Sequence, residues 1–169
     1  DSFGEQALYY NTVRSATVKA LTDCKCIALS RDTFVKALGS HIEVITLRNQ
    51  QKWAFEKSPV LSRLTKIQIE KVADKLVIKR CKKGDLVYQE GELLSSKLVI
   101  IHEGELSAGG KAFSPKHGVI GDEGLLDENK SKETAEHDIV VESTEAITSE
   151  ISIKDFNTIV GGLLKDILK

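Results

Sequence analysis

Phe3-Gly4-Glu5-Gln6-Ala7-Leu8-Tyr9-Tyr10-Asn11-Thr12-Val13-Arg14-Ser15-Ala16-Thr17-Val18 gathers complementary groups into one short run. Gly4 has no Cβ, so the backbone there can turn tightly or approach a ligand closely. Glu5 offers an acceptor for sugar hydroxyls. The apolar turn from Ala7 to Tyr10 can aim free N–H groups at an anion. Arg14 supplies a planar fork that matches a phosphate, and Ser15 adds a hydroxyl beside it. Sugar acceptor, backbone donors and one arginine together describe a pocket for a small phosphorylated sugar.

In the order FGE-x-AL, a short loop, then R-S-A-T, the stretch resembles the phosphate-binding cassette of cyclic nucleotide-binding domains. It matches that pattern at nearly every defining position, which makes the signal specific. The plain alternative is a glycine turn followed by a strand with a surface arginine. The resemblance implies an α+β, mainly β fold: a jelly-roll-like β-roll with flanking helices. It implies that Arg14 and the backbone of Gly4, Gln6 and Ala7 grip a cyclic phosphate. Glu5 would hold the ribose 2′-hydroxyl, and Ser15 would meet phosphate or guanine. Relatives that prefer cGMP often carry Thr or Ser there, and cAMP-selective kinases usually Ala. The resemblance therefore leans to cGMP over cAMP as allosteric ligand.

The 169 residues suffice for one ordinary domain or a little more. With 41% hydrophobic and 29% charged residues, a packed core is expected. A net charge of −1 argues against a general nucleic-acid binder, since no basic excess exists to displace counterions. No apolar run approaches a membrane span, and the start shows no signal peptide. Cys24, Cys26 and Cys81 suit a reducing compartment. A cytoplasmic location is expected, with the parent possible at a membrane surface. Cys24 and Cys26 share one strand face, and packing is the reading taken over a metal fragment.

Along the chain, Ala16 to Ala20 and Cys24 to Leu29 read as strands. Ser30 caps a helix with Asp32 in its first turn, and Gly39 ends it. A second helix runs from His41 to Lys57 and stops at Ser58-Pro59. In the resembled family a helix here moves over or away from the base; Trp53 is read as packing an interface rather than as a lid. Lys66 to Leu76 reads as an amphipathic helix burying Ile67, Ile69, Val72, Ala73 and Leu76. Strands follow from Val77, punctuated at Gly84-Asp85, Gly91-Glu92 and Glu103-Gly104. His102 and His117 stand alone and read as ordinary surface or core histidines.

The end of the chain repeats its beginning. Leu29-Ser30-Arg31-Asp32-Thr33-Phe34 lines up with Ile151-Ser152-Ile153-Lys154-Asp155-Phe156, shifted by 122, and Gly39 with Gly161. Phe3-Gly4-Glu5 lines up with Ile120-Gly121-Asp122, shifted by 117, so the later copy carries five extra residues between these anchors. They fit best in the cassette loop. Arg14 then falls opposite residues 131–136, which hold no arginine; none occurs after Arg80. The loop carries Asp127, Glu128, Glu133 and Glu136 instead. Lys132 lacks the bidentate fork. Gly121, Asp122, Glu123, Gly124 and Lys132 therefore form a degenerate counterpart that is expected not to bind nucleotide. The first copy has its cassette but only three residues before Gly4, so it reads as part of a longer domain. The expected division is 1–57, the end of one cyclic nucleotide-binding domain, and 58–169, a second and degenerate one.

Tandem copies of this kind are similar to the regulatory parts of cGMP-dependent protein kinases, of the apicomplexan type in particular. There the fragment would be the end of a second domain plus a degenerate third. That resemblance implies a non-catalytic regulatory chain whose partners are neighbouring domains and a serine/threonine kinase domain of the same parent. A cAMP-dependent kinase regulatory subunit and a non-binding interaction module remain alternatives. No kinase glycine loop, persuasive nucleophile–base order or metal cluster is legible.

Overall fold

The computed structural model describes residues 3–4, 16–38, 41–113, 118–127 and 129–167. Its contacts divide the chain into Asp1–Gln50 and Gln51–Lys169. In the first unit, α1 spans Arg31–Leu38 and α2 begins at His41, running to Lys57 as the sequence predicts. The Ser30 hydroxyl accepts the Thr33 N–H at 3.1 Å and caps α1.

The predicted strands at Ala16 to Ala20 and Cys24 to Leu29 are absent; both stretches are irregular and exposed. A strand is stabilised by ladder hydrogen bonds and a buried face, and no described residue pairs with these. Leu21 and Ile27 are almost fully exposed. Cys24 and Cys26, expected to pack, are exposed as well.

The second unit is a roll of two antiparallel four-stranded sheets. One has the order β1 (Val77–Lys82), β8 (Glu145–Ser152), β3 (Lys97–Glu103), β6 (Val119–Ile120). The other has β2 (Leu86–Tyr88), β7 (Ile139–Val141), β4 (Leu106–Ala108), β5 (Lys111–Phe113). Strand β3 explains the layering. Val99 and Ile101 join Tyr88, Leu106, Val141 and Ala146 inside the roll. Leu98 and Ile100, on the opposite face, pack with Phe55, Leu61, Val72 and Phe156 from the helical layer. Because both faces are covered, the strand is apolar without alternation.

Helix α3 spans Lys66–Ala73, shorter than predicted, and opens with a capping box between Thr65 and Gln68. Val72 and Ala73 are buried, with Ile69 and Leu76 partly so. Ile67 is exposed, contrary to expectation: two residues from Ile69, it lies about 200° around the helix. Helix α4, Ile153–Val160, is capped by Ser152, whose hydroxyl accepts the Asp155 N–H at 3.1 Å. A short helix, α5, follows at Leu164–Ile167. Among the described residues, 3-10 turns lie at Leu61–Arg63, Leu94–Ser96, Glu123–Leu125 and Lys130–Lys132.

Candidate functional site

Of the first cassette, Gly4 is described and has φ +83. Glu5, Gln6, Ala7, Arg14 and Ser15 lie outside the described residues. The site that can be built from side chains is therefore the later counterpart.

Gly121 has φ +93, the left-handed conformation that Gly4 also adopts. A Cβ there would sit 2.2 Å from the Lys97 carbonyl oxygen and 2.5 Å from that of Leu94, so nothing but glycine fits. The next residue is turned inward. Asp122 is 7% exposed, and the Ser58 hydroxyl donates to its Oδ2. The same Ser58 oxygen accepts the N–H groups of Val60 and Leu61 at 3.2 and 3.0 Å. The Asp122 carboxylate, which the sequence aligns with Glu5, is thus used to fasten the chain leaving α2. Burial raises the Asp122 pKa above its ordinary value; the Ser58 bond opposes that rise without cancelling it.

Glu123 faces solvent and forms an ion pair with Lys130, which holds the Lys130 ammonium above its usual pKa. Gly124 is enclosed: a Cβ would lie 2.8 Å from Ser95 Cβ and 3.0 Å from Ser131 Cα. The Ser95 hydroxyl donates to the Ser131 carbonyl at 2.7 Å. Farther along, the Leu94 N–H donates to the Glu133 carbonyl and the Ala135 N–H to the Glu92 carbonyl, at 3.0 and 2.9 Å. The loop is thereby laced to the turn before β3. Lys132 is exposed, whereas Asp122 is buried.

A cavity of about 570 Å³ lies outside the roll, lined by Ser58, Val60, Asp122, Glu123, Leu126 and Lys130 among others. Its charges are mixed, and the facing pair Glu123–Lys130 is already neutralised. Such a lining offers an anion no bidentate partner. Sequence reading missed Ser58, treating it only as a helix stop, because its partner lies 64 residues away and leaves no local signal.

A second polar cluster ties α2 to the first sheet. Gln51 Nε2 donates to the Ser149 hydroxyl oxygen at 2.9 Å, and Ser149 lies 2.7 Å from His102 Nε2. All three residues are buried, so His102 is a core histidine.

Comparison with known proteins accords with this architecture. A family model described as the cyclic nucleotide-binding domain matches residues 1–41. Those residues are similar to the cyclic nucleotide-binding domain family. The chain is 35% identical over 92 residues to human cGMP-dependent protein kinase 2, covering 54% of this chain and 12% of that one. It is 36% identical over 104 residues to the cAMP-dependent protein kinase regulatory subunit of Blastocladiella emersonii, covering 62% and 25%. The chain thus spans an eighth to a quarter of these relatives' length, and its homology is to the regulatory domains of both kinase types. Among solved structures it is similar to the regulatory subunit of a cAMP-independent protein kinase A from Trypanosoma brucei, a mutant bound to cAMP in its A site. That likeness has 27% identity and a TM-score of 0.50, covering 98% of this chain and 61% of the other. The mainly antiparallel β fold with flanking helices is the one the cassette resemblance implies.

Proposed function

We propose that the chain is a regulatory segment of a cGMP-dependent serine/threonine protein kinase. Its first cassette takes the nucleotide, and its second roll relays the effect without binding one. The observation that carries the second half is the fate of Asp122: the carboxylate in the sugar-acceptor position is committed to Ser58. Registering Ser15-Ala16 on Thr134-Ala135 sets Glu133 opposite Arg14, so the later loop repels the anion that the earlier one attracts. In this reading Arg14 and backbone N–H groups of Gly4, Gln6 and Ala7 bind the cyclic phosphate, Glu5 the ribose, and Ser15 the phosphate or guanine.

Helix α2 supplies the relay. It runs on to Lys57, and in the second unit it is held by Gln51 to Ser149 and, just past its end, by Ser58 to Asp122. A ligand that re-seats the start of α2 would load these bonds, and a two-position helix held this way is a recognised means of coupling. The partners are the adjacent domains and kinase domain of a cytoplasmic parent.

The test is calorimetric titration of the parent protein with cGMP and then cAMP. Binding attributable to this segment should be a single site, lost in Arg14→Ala and kept in Lys132→Ala. A site that survives Arg14→Ala, or one lost in Lys132→Ala, rejects the assignment. The second reading is a cAMP-type regulatory subunit, favoured by the 36% identity to the Blastocladiella protein. Tighter binding of cAMP than cGMP by the unaltered protein would select it.

A further inference from the structure

Asp122 is a buried carboxylate in the lining of the cavity beside the end of α2. The groups that donate to it are neutral: the Ser58 hydroxyl and backbone N–H groups at Asp122 and Glu123. Among the described residues no lysine or arginine forms an ion pair with it. Asp127, also in the lining, is likewise held by N–H groups, those of Asn129 and Lys130. The two lysines at the cavity are engaged elsewhere. Lys130 pairs with Glu123, and Lys57 stands over the Trp53 ring, 5.5 Å from its centre. A buried carboxylate with neutral donors alone keeps an uncompensated charge, and a cation brought against it relieves that cost.

We propose that this cavity is a binding site for a small organic cation, with a planar amidinium or guanidinium head on Asp122 and an apolar body against Ala54, Val60, Val119 and Leu126. A carboxylate has lone pairs enough to keep the Ser58 bond and accept a planar head as well. The volume, about 570 Å³, is that of a small-molecule site. A second cavity of similar size has different chemistry: its Glu92 and Glu150 pair with Lys97 and Lys79, and its Asp155 is exposed. Because Asp122 also holds Ser58, an occupant bears on the chain leaving α2, independently of any nucleotide at the first cassette.

The probe is benzamidine, with neutral benzamide and anionic benzoate as its isosteres. The full chain is titrated with each and followed by the amide NMR shifts of Val60, Val119 and Leu126. Benzamidine should saturate at one site and bind at least about tenfold more tightly than benzamide, with benzoate weaker still. Asp122→Asn keeps an acceptor for Ser58 but loses the charge, and should weaken benzamidine by about tenfold. Leu126→Trp fills the cavity and should abolish binding while the chain still melts cooperatively. Benzamidine should also slow amide exchange at Val60 and Leu61, whose N–H groups bond to Ser58. The proposal is overturned if benzamide or benzoate binds as tightly as benzamidine, or if Asp122→Asn leaves benzamidine affinity unchanged. Saturating shifts at Val77, Ser152 and Thr158 of the second cavity instead, or no saturating shifts at all, overturn it too.

Discussion

Ser58 donates its hydroxyl hydrogen to the buried carboxylate of Asp122, joining the end of α2 to the turn after β6. One side chain thereby satisfies three partners, since its oxygen also takes the N–H groups of Val60 and Leu61. Ser58→Ala removes all three bonds and leaves a buried carboxylate short of a donor. The expected loss is about 1–3 kcal/mol of unfolding free energy, read by chemical denaturation at neutral pH. An unchanged midpoint would mean that the bond contributes nothing in solution.

Asp122 also sets a pH dependence. Burial raises its pKa in the folded chain, so its stabilising form is the neutral one. That contribution is complete below the ordinary aspartate pKa and is lost as pH rises through the raised folded value. Asp122→Asn stays neutral and can still accept from Ser58. The melting temperatures of variant and parent chain should coincide in acid, and the variant should melt higher as pH approaches neutrality. A difference that shrinks with rising pH contradicts this.

Gly121 and Gly124 should differ in kind. Gly121→Ala meets two backbone carbonyls and a left-handed φ, neither of which can yield cheaply. A loss of about 3 kcal/mol or more is expected. Gly124→Ala presses on the Ser95 side chain and on the backbone at Ser131, in a loop that has more freedom to shift. It should cost less, about 1 kcal/mol. Thermal melts of the two variants side by side provide the comparison, and a reversed order would show that the loop, not the turn, is the rigid part.

Ser149→Ala removes the shared partner of Gln51 and His102. With both groups buried, about 1–3 kcal/mol should be lost. Amide exchange should rise in the second half of α2 more than in β1. Exchange that rises equally in both would assign Ser149 to general packing.

For nucleotide choice, Ser15→Ala in the parent protein should lower the preference for cGMP over cAMP by about tenfold, the size of one lost hydrogen bond to a charged or polar partner. Competition binding measures it. No change in the ratio would remove Ser15 from the selectivity of the site.

Several features were legible without coordinates because their causes are local. Ser30 and Ser152, 122 residues apart, each cap a helix through an N–H three residues on, at the same 3.1 Å. Gly4 and Gly121 share a positive φ, as their matching motifs require. Helix α2 ends at Lys57 because Pro59 follows closely. Other features were not legible. The Ala16 and Cys24 stretches alternate like strands, yet neither forms one, because a ladder needs a partner that local pattern cannot supply. Ile67 looked like core by type but stands on the wrong side of α3.

The sequence by itself determined the caps, the turns, the helix stop and the contrast between an arginine-bearing cassette and its arginine-free repeat. Each depends on backbone geometry or charge within a few residues. Only the tertiary structure decided that Asp122 serves Ser58 and that His102 is held by Ser149 inside the core. Those outcomes depend on which distant atoms arrive to exclude water or share a proton, and no short stretch of chain encodes that.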